Sequence, residues 1–137
     1  MAALTSDITR RRRGPPRGGE YGYPVAPGEQ VFRNSLVGIN AAGQMQRIQT
    51  AGTVAFLGLA AAAYNNTTSA AASPVLVEAL RGIWQLTVPA ATPANINAPV
   101  YVTDDNTVTL TNSGGLLVAG ALDGFDAGLT YVRLTGD

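Results

Sequence analysis

Four consecutive arginines, Arg10, Arg11, Arg12 and Arg13, with Arg17 close behind, are the densest set of reactive or binding groups in this 137-residue chain. A guanidinium stays charged, presents five N–H donors in one plane and grips carboxylates, phosphates and carbonyls, so this cluster predicts binding rather than bond-making. Elsewhere the groups that do chemistry are sparse. The chain has no histidine, cysteine or lysine, which removes the usual zinc ligands, the thiol nucleophile, the proton shuttle of neutral pH and any disulfide. Asp104 and Asp105 are adjacent, so on a strand they point to opposite faces, and in a turn they serve turn geometry. Asp123-Gly124-Phe125-Asp126-Ala127-Gly128 lacks the acidic repeat and the terminal glutamate of a calcium loop, and no glycine pair opens a phosphate-cradling helix. These residues predict no catalytic site, no metal and no cofactor.

The elements that must position the arginines divide the chain. Residues 1–20 carry five arginines against Asp7 and Glu20, and residues 21–137 carry four arginines against seven acids, so a segment of +3 precedes a body of −3. Residues 1–29, rich in glycine and proline, read as an extended basic arm and junction that has little to bury and stays extended until a partner orders it. Tyr21 and Tyr23 are its anchors, to its own body or to a neighbour. Residues 30–137 read as one β-rich body, and its length and 46% hydrophobic content suffice for one core. The longest apolar run, Val54 to Tyr64, is far short of the ~18 residues of a membrane span, and no apolar stretch follows the basic cluster as in a signal peptide.

Short apolar runs punctuated by Gly, Asn and Asp predict strands at Gln30–Phe32, Leu36–Asn40, Met45–Gln49, Thr53–Leu59, Val75–Ala79, Ile83–Val88, Val100–Thr103, Thr107–Thr111, Leu116–Leu122 and Thr130–Leu134. The fold class is therefore all-β, a small barrel or sandwich of short antiparallel strands with an extended N-terminal arm. Asp104-Asp105-Asn106 joins two β-branched runs at hairpin distance. Residues 123–128 read as a loop between the last two strands, and the alanines at 60–63 and 70–72 leave room for a single helical turn. Thr53–Leu59 is apolar on both faces, which calls for a central strand or one covered by another sheet or subunit. Phe56, Leu57 and Trp84 are accordingly core or oligomer contacts, and Arg33, Arg47, Arg81 and Arg133 stand isolated at strand ends, Arg81 within reach of a neighbouring subunit.

The last third of the chain carries a longer pattern. Ala98-Pro99-Val100-Tyr101-Val102-Thr103-Asp104-Asp105-Asn106-Thr107-Val108-Thr109 is followed by Leu117-Val118-Ala119-Gly120-Ala121-Leu122-Asp123 and by Ala127-Gly128-Leu129-Thr130-Tyr131-Val132-Arg133-Leu134. With Phe56-Leu57-Gly58-Leu59-Ala60 and Gly82-Ile83-Trp84-Gln85-Leu86 upstream, this order resembles the small capsid decoration, or cement, proteins of tailed bacteriophages over about residues 30–134. The arginine-rich arm and the Tyr64–Pro74 stretch depart from that pattern. The resemblance implies a virion structural protein at the capsid surface, bound to the major capsid protein as a homo-oligomer, dimer or trimer. On that reading Arg10–Arg13, Arg17, Tyr21 and Tyr23 form the attachment arm, and no enzyme activity is expected. Two other readings fit the same residues: a nucleic-acid-binding module acting through the arginines, which the acidic body disfavours, and another β-rich virion component such as a tail or adaptor subunit.

Overall fold

The computed structural model describes residues 3–10, the main chain of 12–17, and residues 21–135; Arg11 and the Gly18-Gly19 pair of the arm lie outside the described residues. The protein is all-β. Its strands are β1 (Arg12–Arg17), β2 (Gly22–Pro24), β3 (Gln30–Val31), β4 (Leu36–Asn40), β5 (Met45–Arg47), β6 (Thr53–Ala60), β7 (Tyr64–Asn65) and β8 (Leu76–Gln85). They continue as β9 (Pro99–Val102), β10 (Val108–Thr109), β11 (Val118–Asp126) and β12 (Leu129–Leu134). The alanines at 60–63 and 70–72, which left room for a helical turn, form none, Ala60 being the last residue of β6, and the one helical element among the described residues is a 3-10 turn at Pro93–Asn95.

The main sheet runs β10-β9-β11-β12-β8-β6-β4-β5, with β1 and β2 also on β8, and β3 pairs with β7 as a separate ribbon. Every named strand pair is antiparallel. Strand β8 organises this order. Trp84 is matched with Arg12 of β1 and with Val132 of β12, so those two strands occupy opposite edges of β8. On the β12 edge the partner changes along the strand: Ala79 and Leu80 pair with β6, whereas Gly82 to Gln85 pair with β12.

The change falls at Arg81-Gly82, and two features hold it. Gly82 takes φ 114°, a left-handed value that lets one strand turn from the β6 half-sheet to the β12 half-sheet without a Cβ in the way. Arg81 lies where β6 and β12 diverge, its Nε donating to the Leu57 carbonyl at 3.0 Å and its Nη1 to the Thr135 carbonyl at 3.2 Å. The sequence reading placed a break between Val75–Ala79 and Ile83–Val88, because a glycine inside an apolar run looks like a turn. Here it marks a bend in one continuous strand.

Two cores lie on the two faces of the β4–β6 half-sheet. Leu36, Phe56 and Leu59 pack on one side with Trp84, Leu86, Val100, Leu122 and Val132, while Val37, Leu57 and Ala60 pack on the other with Val25, Val31, Met45 and Val77. A bulge makes the two-sided packing fit. The pairing steps from Val37↔Gly58 to Gly38↔Phe56, leaving Leu57 as the extra residue, so that Phe56 and Leu59 serve the same core although three positions apart. The expectation that Thr53–Leu59 is covered on both faces thus holds for its second half, and the cover comes from the chain itself. Val54 and Ala55 are exposed.

The second core is closed by residues that the sequence reading gave to the arm and its junction. Val25, Ala26 and Glu29 are buried, and Ala26 N–H donates to the Met45 carbonyl at 2.9 Å. Asn66 completes this lid: its Nδ2 donates to the carbonyls of Val25, Ala26 and Ala71 at 3.1, 3.1 and 2.9 Å, tying the three together.

Two glycines set the tolerance of this arrangement. A Cβ on Gly58, at φ 145°, would sit 2.3 Å from the Leu80 carbonyl oxygen, and one on Gly120 would sit 1.8 Å from that of Arg133. Neither contact can be relieved by a side-chain rotation. Gly58→Ala and Gly120→Ala are each expected to cost about 3 kcal/mol or more through overpacking against main chain. Gly43→Ala, at φ 81° with nothing near its Cβ, should lose only about 1–2 kcal/mol. Urea-unfolding midpoints of the three variants check this ranking.

Candidate functional site

The first of the clustered arginines folds onto its own body. Arg10 Nε donates to the Asn34 carbonyl at 2.9 Å and Nη2 to Asn106 Oδ1 at 3.0 Å. Burial lowers its pKa to about 10, against the opposing pull of Asp105, so the guanidinium stays charged at neutral pH. Arg12 to Arg17 run as β1 along β8, in the register Arg12↔Trp84, Arg13↔Ile83 and Arg17↔Arg81, with a bulge between Arg13 and Arg17. Arg10 and the main chain of Arg12–Arg17 thus lie against the chain itself. Its own body offers the carbonyls, carboxylates and strand edge that an extended cationic segment seeks.

The centre of that docking is Asp105, which the sequence reading assigned to turn geometry. Its neighbour Asp104 does serve the turn, Oδ1 accepting the Asn106 N–H at 2.9 Å. Asp105 instead points inward and is fully buried. Its carbonyl accepts the Leu36 N–H at 2.9 Å, its N–H donates to Gln49 Oε1 at 3.0 Å, and its Oδ1 accepts the Leu4 N–H at 3.0 Å. Among the described residues Oδ2 has no hydrogen-bond partner, and neither do the buried hydroxyls of Thr107, two residues on, and of Ser35, the neighbour of Leu36. Desolvation, helped by Asp104, raises the pKa of Asp105; the Leu4 N–H, Arg47 and Gln49 oppose the rise. No local feature of the sequence separates Asp105 from Asp104, because the groups that fix it, Leu4 and Gln49, are distant in the chain.

Residues 3–10 form a strap over this hairpin. Besides the Leu4 and Arg10 bonds, Asp7 Oδ1 accepts the Arg33 N–H at 2.9 Å, the Ile8 N–H donates to the Arg33 carbonyl at 3.3 Å, and the Ile8 carbonyl accepts from Asn34 Nδ2 at 2.7 Å. None of the residues 3–10 is buried, so polar contacts carry the docking. Each such bond contributes about 0.5–1.5 kcal/mol net, and more where a charge takes part.

The other predicted residues do not converge on the strap. Tyr21, just before β2, is 75% exposed, whereas Tyr23 packs partly buried against the second core. Phe56, Leu57 and Trp84 are core residues, with the Trp84 indole N–H bonded to the Arg81 carbonyl at 3.1 Å. Arg81, which the sequence placed within reach of a neighbouring subunit, is spent inside the chain, and Arg133 pairs with Asp123 at 2.8 Å. A second polar cluster ties β3 to β5: buried Glu29 accepts from the Arg47 N–H at 3.0 Å and from the Thr50 hydroxyl, with Arg47 Nε 3.5 Å from its other oxygen.

A cleft of about 270 Å³ opens between the 48–53 turn and the 115–117 loop, lined by Ile48, Gln49, Thr53, Val102, Thr103 and Leu117 without a charged side chain. Among the described residues no three acids gather to hold a metal ion, and no helix is long and apolar enough to cross a membrane. What the geometry defines is an all-β body with a strapped-down N-terminal segment. A scan against protein-family models finds no match, and searches of curated proteins and of solved structures find none at a significant level.

The buried carboxyl makes a pH prediction. Because the folded state holds the Asp105 proton to a higher pH than the unfolded chain does, the native protein binds more protons between the ordinary carboxylate range and the raised value. Stability then falls as pH rises through that window and is level above it. Urea midpoints measured from about pH 4 to pH 7 should show this decline. Asp105→Asn keeps an acceptor for Leu4 without the buried charge, so it should flatten that slope and match the parent within about 1 kcal/mol at neutral pH. Asp105→Ala, which strands the Leu4 donor, should lose about 1–3 kcal/mol.

Proposed function

We propose that this chain is a structural protein of a virus particle, a decoration or cement protein that fastens to the outer surface of an icosahedral capsid through the major capsid protein and acts as a dimer or trimer. One observation carries the reading. The segments that bear the resemblance to phage decoration proteins, Pro99–Val102, Val108–Thr109, Val118–Asp126 and Leu129–Leu134, are not scattered but lie side by side in the order β10-β9-β11-β12.

The physical requirements of such a role also fit the chain. A lattice clamp needs a rigid body, and the two cores around β4–β6 provide one. It needs a cationic extended element able to reach acids and carbonyls on another surface, and Arg12, Arg13 and Arg17 on β1 belong to such an element. It does not need strong single contacts, because an oligomer that engages several shell subunits gains avidity from all of them.

The test is occupancy of expanded capsids. Arg12→Ala, Arg13→Ala and Arg17→Ala combined, and separately removal of residues 1–19, should lower occupancy at least about tenfold, since a charge-assisted pair is worth about 1.5–3 kcal/mol where it is made. Far-UV circular dichroism of the triple variant should match the parent. Full decoration by both variants would exclude the arm as the attachment element, and absence of the chain from purified particles would exclude the function.

A further inference from the structure

Both ends of the arginine-rich stretch are fixed on the body: Arg10 at its start, through Asn34 and Asn106, and Arg12–Arg17 through the main-chain register with β8. Ahead of it, residues 4–8 hold the surface formed by Arg33, Asn34 and the buried Asp105. We infer that residues 4–10 are a releasable strap, anchored on Asp105, that holds Arg10 and the start of the arginine stretch on the chain's own body and has to lift before they engage another surface. The inference rests on the proposed attachment role only for the identity of that surface.

Three features of the strap make it a latch rather than a part of the core. The contacts described for it are polar, hydrogen bonds and the pull between Arg10 and Asp105, and none of residues 3–10 belongs to either core. Its anchor is a carboxylate already inside the fold, which therefore offers the same seat each time the strap returns. The donors it presents to the body at positions 4 and 8 are main-chain N–H groups, at 3.0 and 3.3 Å from their acceptors. A competing surface with acceptors for an extended cationic peptide offers the same kind of partner, so exchange trades like for like. Docking and attachment are then alternative uses of one segment, and a mutation that weakens docking should strengthen binding elsewhere.

Proline substitution removes such a donor without touching the body or its charge. In the full-length chain, Leu4→Pro, Ile8→Pro and the double variant should each leave thermal unfolding of the body cooperative. Trypsin cleavage within Arg10–Arg13 should become about tenfold faster in the double variant than in the parent, since cleavage of a docked segment follows its open population. On immobilised heparin, used as a defined polyanion, the double variant should elute at higher salt than the parent, because more arginines are available to it. The inference is overturned if the parent is cut as fast as a free peptide of residues 1–20, if the prolines leave the cutting rate unchanged, or if cutting accelerates with no change in elution. No particle enters these measurements, so their failure would leave the decoration reading standing, and a chain absent from particles would leave the strap standing.

Discussion

A single strand serving two half-sheets is the constraint on which the rest of this fold depends. Where β8 exchanges β6 for β12, the two neighbours part and main-chain carbonyls at the seam lose the partners a continuous ladder would supply. Arg81 answers both at once, with donors to Leu57 on one side and Thr135 on the other, while its own carbonyl is taken by the Trp84 indole. A lysine carries its donors on one compact ammonium rather than along a planar fork, and is less suited to span the gap. The seam thus turns an isolated charge in an apolar sequence into an internal brace, and it explains why the residue after it is glycine.

Because β8 bends there, the β4–β6 half-sheet is left with a core on each face. That geometry consumes the largest apolar groups, Phe56, Leu57 and Trp84, within one chain. Outside, among the described residues, Tyr21, Val54, Val75 and Leu76 are the most exposed large hydrophobics.

Legibility in the sequence followed the range of the interactions. Strand β4 coincides with the expected Leu36–Asn40, and the β9–β10 hairpin pairs Val102 with Val108 around Asp104-Asp105-Asn106, because alternation and turn residues act over a few positions. Strand β11 runs on to Asp126, through a bulge between Leu122 and Gly124, where a loop was expected from its glycine and aspartates. A bulge hides a strand from any count of alternating residues. Strands β1 and β2 were invisible for another reason: their partner lies some sixty residues away on an edge that nothing local announces. Asp105 was missed because its role is set by Leu4 and Gln49, about a hundred and some fifty residues distant.

The electrostatics of the strap show why docking need not be permanent. The chain divides into a cationic leader and an acidic body, yet among the described residues no direct ion pair joins the strap to that body. Arg10 donates to a carbonyl and an amide oxygen, while the carboxylate beneath it accepts from a main-chain N–H. Arg10 and one oxygen of Asp105 each meet a neutral dipole and feel the other charge through space, so lifting the strap separates two charges that are not in direct contact. Burial works against both ions, lowering the pKa of Arg10 and raising that of Asp105, and this desolvation cost offsets part of what their attraction contributes. A contact balanced in this manner is specific in geometry but modest in strength, which is the combination a segment requires if it is to leave its own body for another.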